Sequence, residues 1–176
     1  MAKIGVMGAG SWGTALALLL NQNGHDVTIW SIDKNEVEML RTKREHVDKL
    51  PGVIISERIQ ITNTISEGIL GMDMIVMAVP SVFTRSTAKA MCPYVTEGQL
   101  LVDVSKGIEE TTLMTMTDQI EEEIPQAKVA VLSGPSHAEE VSRGLPTTVV
   151  AGAKDRETAE YIQHIFMSEV FRVYTS

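Results

Sequence analysis

The sequence predicts an α/β fold, a doubly wound and mostly parallel sheet with helices on both faces. Short apolar runs alternate with stretches of helical periodicity from end to end, the pattern of parallel strands joined by packed helices. A glycine-rich turn, Gly8-Ala9-Gly10-Ser11-Trp12-Gly13, lies between the first run and the first helical stretch. No Pro-, Gly- or Ser-rich linker, repeat or low-complexity tract divides the 176 residues, so they read as one unit.

The strand expectations, in order, are Lys3 to Met7, Asp26 to Ser31, Met74 to Val79, Gln99 to Val104, Lys128 to Leu132, Thr147 to Ala151 and Phe171 to Tyr174. Between them the periodicity predicts helices over Trp12 to Gln22, Asn35 to Lys43, Val82 to Met91, Leu113 to Glu123, Ala138 to Arg143 and Arg156 to Phe166. Gly24 suits a left-handed cap after the first helix, and Asp155 suits the start of the last. Arg44 to Arg58 is the least regular stretch and carries the turn signal Leu50-Pro51-Gly52, so it is expected to be a surface loop.

Composition narrows the function. A chain of this length buries roughly 70% of its unfolded surface, enough for a real core. Apolar residues make up 44% and charged residues 22%, and no apolar run approaches the roughly 18 residues of a membrane helix, so a soluble protein with no membrane span is expected. A net charge of -8 opposes non-specific nucleic-acid binding, which needs clustered Lys and Arg. Met1 to Gly10 pass straight into a strand pattern without an export signal, and Cys92 is the one cysteine; both point to the cytoplasm.

The glycine turn carries the chemistry. Gly8 permits the tight turn, Gly10 lets the backbone approach a pyrophosphate, and Gly13 lets the helix pack on the strand. The helix amino terminus then offers unpaired N–H groups and partial positive charge, so an anion is held without lysine or arginine. With strand, loop, helix and second strand in the required order, the loop is expected to form a Rossmann-type dinucleotide site for NAD or NADP. Asp33 lies 20 residues beyond Gly13, the spacing of the acid that binds ribose hydroxyls, and equally where a cap is needed for the helix beginning near Asn35.

Three further landmarks follow the glycine loop: Ala78-Val79-Pro80-Ser81, then Ser105-Lys106-Gly107-Ile108-Glu109, then Ser133-Gly134-Pro135-Ser136-His137-Ala138-Glu139-Glu140-Val141. On these four motifs, and through to Phe171-Arg172-Val173-Tyr174, the chain resembles the amino-terminal domain of NAD(P)-dependent glycerol-3-phosphate dehydrogenases. The resemblance implies an oxidoreductase that interconverts dihydroxyacetone phosphate, a small phosphorylated substrate, and sn-glycerol 3-phosphate in glycerophospholipid synthesis. It implies that Ser11, Trp12, Lys106 and Ala138 serve the cofactor, beside Gly8, Gly10 and Gly13 of the loop and Asp33 in the ribose half of its two readings. Lys106, Gly134 and Ser136 would meet the substrate.

Residues 1 to 176 would then form the dinucleotide domain, and the helical second domain of that family, with its carbonyl-polarising lysine and phosphate grip, is missing from this sequence. Exposure of the face such a domain covers would favour a homodimer. Two other readings fit the same residues: another two-domain hydroxyacid or keto-acid reductase, and a dinucleotide-binding module without chemistry.

Two positions depart from the family pattern. Ile32 stands where an arginine is common, with Lys34 the nearest substitute for binding a 2′-phosphate, and Lys49 replaces a tyrosine before Leu-Pro-Gly. Elsewhere the expectations are structural. His25, His46, His137 and His164 lack metal-ligand spacing and are expected at the surface or at caps, His137 alone near the substrate. Met72, Met74 and Met77 are expected to fill core, Cys92 to be a small helix residue, and the acidic runs at Glu109, Glu121 to Glu123 and Glu139 to be solvated.

Overall fold

The computed structural model describes residues 1–176. Ten strands and six α-helices follow the chain as β1 (Lys3–Met7), α1 (Ser11–Gln22), β2 (Asp26–Trp30), α2 (Lys34–Lys43), β3 (Glu45–His46), β4 (Leu50–Ile54), β5 (Gln60–Thr62) and β6 (Met74–Met77). Then come α3 (Thr84–Met91), β7 (Leu100–Asp103), α4 (Met116–Glu123), β8 (Lys128–Ser133), α5 (Ala138–Ser142), β9 (Thr147–Gly152), α6 (Arg156–Phe166) and β10 (Phe171–Thr175). Eight strands form one sheet in the order β10-β9-β8-β7-β6-β1-β2-β5. All pairs in it are parallel except β8 with β9, which run antiparallel.

Strand side chains alternate between two cores because successive residues point to opposite faces. Ile4, Val6, Val27, Ile29, Met74, Val76, Leu100 and Val102 enter one cluster with Leu16 and Leu20 of α1, Leu40 of α2 and Ile162 of α6. Met7, Trp30, Ile75, Met77 and Leu101 enter the other with Ala88 and Met91 of α3 and Ile120 of α4. The sheet is thus covered on both faces, the doubly wound arrangement read from the sequence.

Caps behave as their chemistry dictates. Gly24 adopts φ +90°, and Asp155 accepts a hydrogen bond from the Thr158 N–H at 2.9 Å. Helix α4 starts at Met116 and not at Leu113, because Leu113 has a left-handed φ of 61° and Thr115 and Asp118 form a capping box. Helix α3 is preceded by a 3-10 turn at Ser81–Phe83.

The expected loop from Arg44 to Arg58 is instead a two-stranded antiparallel unit, β3 with β4, followed by the edge strand β5. Leu50-Pro51-Gly52 lies inside β4, and the turn falls at residues 47–49. Burial of His46, Leu50 and Ile55 is the reason: three side chains in the core tie the segment down.

His25 and His46 are likewise buried, contrary to a surface placement. Nδ1 of His25 accepts the Ala2 N–H at 3.1 Å, and its Nε2 lies 3.2 Å from the Ile165 carbonyl oxygen. His46 Nε2 meets Glu36 Oε1 at 2.9 Å. Each ring spends its polar atoms on internal partners, which is what lets it leave water.

Candidate functional site

The strand order reverses between β1 and β6, and in open α/β sheets ligands bind in the crevice beyond strand carboxyl ends at that switch point. The turn after β1 is the glycine loop, and the turn after β6 is Ala78-Val79-Pro80-Ser81. Two adjoining cavities lie there. One of about 540 Å³ is lined by Gly10, Ser11, Trp12, Lys106, Ser136 and His137, among others. The second, of about 330 Å³, runs toward Trp30, Ile32, Asp33, Glu36 and Lys49, and the two share a wall of Gly10 and Ala78 to Pro80.

The three glycines divide the work as the loop geometry demands. A Cβ on Gly8 would come within 2.6 Å of the Ala78 carbonyl oxygen, and Gly8 also has a φ of +121°. A Cβ on Gly13 would stand 2.1 Å from the Gly8 carbonyl oxygen. Those two are required by the protein's own packing. Gly10 is different, because a Cβ there would meet nothing within 4 Å. Its bare backbone faces the groove, and no side chain caps α1 behind it, so the first-turn N–H groups stay available. An anionic pyrophosphate fits this cradle.

Trp12 is pinned by its indole N–H, which donates to the Val104 carbonyl oxygen at 3.2 Å and ties the loop to the end of β7. Ser105 follows on that strand end. Its N–H donates to Asp103 Oδ1 at 3.2 Å and its hydroxyl to the same oxygen. Burial pushes the Asp103 carboxyl up, and the two Ser105 hydrogen bonds oppose that rise.

Lys106 comes next and reaches across to β8's end, where its Nζ donates to the Ser136 carbonyl oxygen at 3.3 Å. The structure therefore brings Lys106, Ser136, His137 and Ala138 to the same cavity wall as Ser11 and Trp12. Ser136 itself is buried, with its hydroxyl directed to the Gly134 carbonyl oxygen at 3.3 Å.

Gly134 does not line either cavity. A Cβ there would lie 2.7 Å from the Thr148 carbonyl oxygen, so close packing of β8 against β9 explains its glycine. Asp33 lines the second cavity while its Oδ1 accepts the Asn35 N–H at 2.8 Å, so it performs the capping half of its two readings. Ile32 is 82% exposed at the rim.

Sequence reading assigned no role to several groups that frame the site. The Ala78 to Ser81 wall was visible only as a landmark, although a turn after a central strand is where a switch point forms. Glu36 sits under the rim with its side chain 12% exposed, and its carboxylate accepts from Ser31, His46 and Lys49. Burial pushes Glu36 up, but the Lys49, Ser31 and His46 hydrogen bonds outweigh it and hold the carboxyl below its usual range.

The acidic runs are also not simply solvated. Glu109, Glu122 and Glu123 converge on Arg85 of α3, which anchors the far end of the loop bearing Lys106. No helix in the structure is long and apolar enough to cross a membrane.

Residues 3–159 match the family model described as NAD-dependent glycerol-3-phosphate dehydrogenase N-terminus. The chain is 62% identical over its full length to a glycerol-3-phosphate dehydrogenase (NAD(P)+) of Agathobacter rectalis and 51% identical to one of Fusobacterium nucleatum. It spans 52% and 53% of those relatives' lengths. The crystal structure of glycerol-3-phosphate dehydrogenase from Coxiella burnetii superposes with a TM-score of 0.94 at 28% identity, over 99% of this chain and 54% of that one. The glycine cradle, the switch-point groove and these matches agree, and the chain belongs to the NAD-dependent glycerol-3-phosphate dehydrogenase N-terminus family.

Proposed function

We propose that residues 1–176 are the cofactor-gripping half of an oxidoreductase that interconverts dihydroxyacetone phosphate and sn-glycerol 3-phosphate with NAD(H) or NADP(H), in the cytoplasm and toward glycerophospholipid synthesis. The observation that carries the reading is Gly10, whose Cβ position opens into the groove while Gly8 and Gly13 are hemmed in by backbone. When bound, the dinucleotide supplies the hydride donor or acceptor.

The chain's own residues do the rest of the holding. Backbone N–H groups at the start of α1 grip the pyrophosphate, with Ser11 and Trp12 beside them. Lys106 stands at the junction of the cofactor cradle and the β8 end, where an ammonium suits a carbonyl or alkoxide oxygen of the substrate. Ser136 and Ala138 complete that wall. Because the relatives are about twice as long, the remaining carbonyl-polarising and phosphate-binding groups are assigned to a segment equivalent to the half of the relatives that this chain does not span. The exposed apolar Val82, Phe83, Ile108 and Leu113, on segments flanking the groove, are assigned to contact with that segment or with a second copy in a homodimer.

The test follows NADH oxidation with dihydroxyacetone phosphate by absorbance, for this chain and for a form extended to the relatives' length, alongside calorimetric titration of NADH. The expected result is NADH binding by both and turnover by this chain at least about 10²- to 10³-fold slower, the usual cost of losing a group that stabilises developing charge. Failure of the chain to bind either dinucleotide would overturn the reading. Equal turnover would place the whole catalytic machinery here, with Lys106 and His137 first to be substituted.

A further inference from the structure

The rim of the second cavity has an unusual charge arrangement. Its lining contains two acids, Asp33 and Glu36, and one cation, Lys49. Lys49 Nζ lies 2.7 Å from Glu36 Oε1, so the single cation is held by an acid of the same rim. Glu36 is itself held in place from three sides. The Ser31 hydroxyl donates to Oε2. His46 accepts the Lys49 N–H on Nδ1 at 3.3 Å, which leaves its Nε2–H to donate to Oε1 at 2.9 Å. Position 36 also falls in the first turn of α2, where the helix dipole favours a negative side chain.

This end of the groove is where the ribose of the adenosine half belongs, since it lies at the carboxyl end of β2. NADP(H) differs from NAD(H) only by a 2′-phosphate there, a group carrying about -1.5 to -2 charges at neutral pH. Ile32 offers it no donor, and Lys34 is not among the residues lining the cavity.

We propose that Glu36, by holding Lys49 and keeping a fixed negative charge at the ribose end of the groove, sets a preference for NAD(H) over NADP(H). This rests on the dinucleotide reading of the groove. Asp33 contributes less, because its Oδ1 is committed to the Asn35 and Glu36 N–H groups. In Glu36→Gln one negative charge is removed and Lys49 is released toward the phosphate, so a repulsive rim becomes an attractive one.

The test measures dissociation constants for NADH and NADPH separately on the 176-residue chain and takes their ratio, which cancels the shared pyrophosphate and nicotinamide contacts. The expected ratio favours NADH in the native chain. It shifts toward NADPH by about tenfold or more in Glu36→Gln, and returns most of the way in Glu36→Gln/Lys49→Met.

A second measurement needs no variant. Salt screens charge over about 10 Å at 0.1 M and about 3 Å at 1 M, so raising salt should narrow the native preference for NADH by weakening repulsion of the 2′-phosphate. An unchanged ratio in folded Glu36→Gln would overturn the proposal, as would an equal shift in Asp33→Asn. So would a native preference that widens with salt, which would mean that a cation already grips the phosphate. Binding of neither dinucleotide by the native chain would remove the groove assignment, and this proposal with it.

Discussion

The guanidinium of Arg85 meets the carboxylate of Glu109 through two parallel hydrogen bonds, Nε to Oε1 and Nη2 to Oε2, each 2.9 Å. Its Nη1 takes Glu122 at 2.6 Å and Glu123 at 2.9 Å, so one cation from α3 joins the Lys106 loop to the end of α4. A planar fork of this kind fixes direction as well as distance. Three carboxylates brought together without Arg85 would repel one another.

Arg85→Gln is therefore expected to loosen the segment from Lys106 to Met114 without unfolding the sheet. Hydrogen exchange should rise several-fold for those amides and stay unchanged in β1, β6 and β7. Arg85→Lys should rescue little, since an ammonium cannot make the paired contact. Uniform protection across the loop in Arg85→Gln would show that Glu109 does not anchor it.

Acid should act on the same anchor. Arg85 and the Thr112 hydroxyl hold Glu109 down at about 2, and Lys128 with the Thr158 N–H and hydroxyl holds Asp155 at about 2. A carboxyl with a folded pKa below its unfolded value stabilises fully above the unfolded value and loses that contribution as pH falls toward the folded one. Thermal unfolding followed from pH 6 downward should show Tm falling between the ordinary carboxylate range and about pH 2. Glu109→Gln and Asp155→Asn should each flatten part of that fall; an unaltered acid limb in both would count against these pairs.

His25 titrates in a separate window. Burial is the largest influence lowering its pKa below 6.5, and the Ile165 carbonyl opposes it. Protonation would also place a hydrogen on the Nδ1 that accepts the Ala2 N–H. The unfolded chain thus takes up the proton first, so this contribution is complete above the unfolded value near 6.5 and lost as pH falls below it. His25→Gln should be less stable at pH 8 by about 1 to 3 kcal/mol, the cost of leaving a buried polar group unpaired. It should also lose less stability than the native chain between pH 7 and about pH 5. Parallel stability curves for the two proteins across that window would refute the assignment.

Gly10 and Gly13 should respond oppositely to an added side chain. Gly10→Val is expected to melt within a few degrees of the native chain yet lose nearly all NADH binding by titration calorimetry, because its side chain enters open groove. Gly13→Ala is expected to cost about 1 to 3 kcal/mol or more, as overpacking against backbone does. Full NADH affinity in folded Gly10→Val would take the pyrophosphate away from this loop.

Much of this fold is legible in the sequence alone. Strand starts at Lys3, Asp26, Met74, Lys128, Thr147 and Phe171 coincide with expectation, because an unbroken apolar run is a local property. Gly24 and Asp155 were legible as caps for the same reason: each acts on neighbours within a few residues. Leu113 misled the periodicity, since it is apolar and in register yet 77% exposed at a left-handed φ. Leu50-Pro51-Gly52 misled it in the other direction, as turn-forming residues are tolerated in a two-stranded unit that lies outside the main sheet.

By itself the sequence determined the alternation of strands and helices, the dinucleotide loop and the resemblance that the relatives bear out, all of which depend on residues adjacent in the chain. Tertiary structure alone decided that Trp12 hangs from Val104, that Lys106 reaches Ser136, that Arg85 gathers three acids and that β9 runs against β8. It also decided that Glu36, as well as Asp33, lines the second cavity, at the carboxyl end of β2. Such partners lie tens of residues apart, and the packing of helices onto the sheet sets their separations, which local periodicity does not specify.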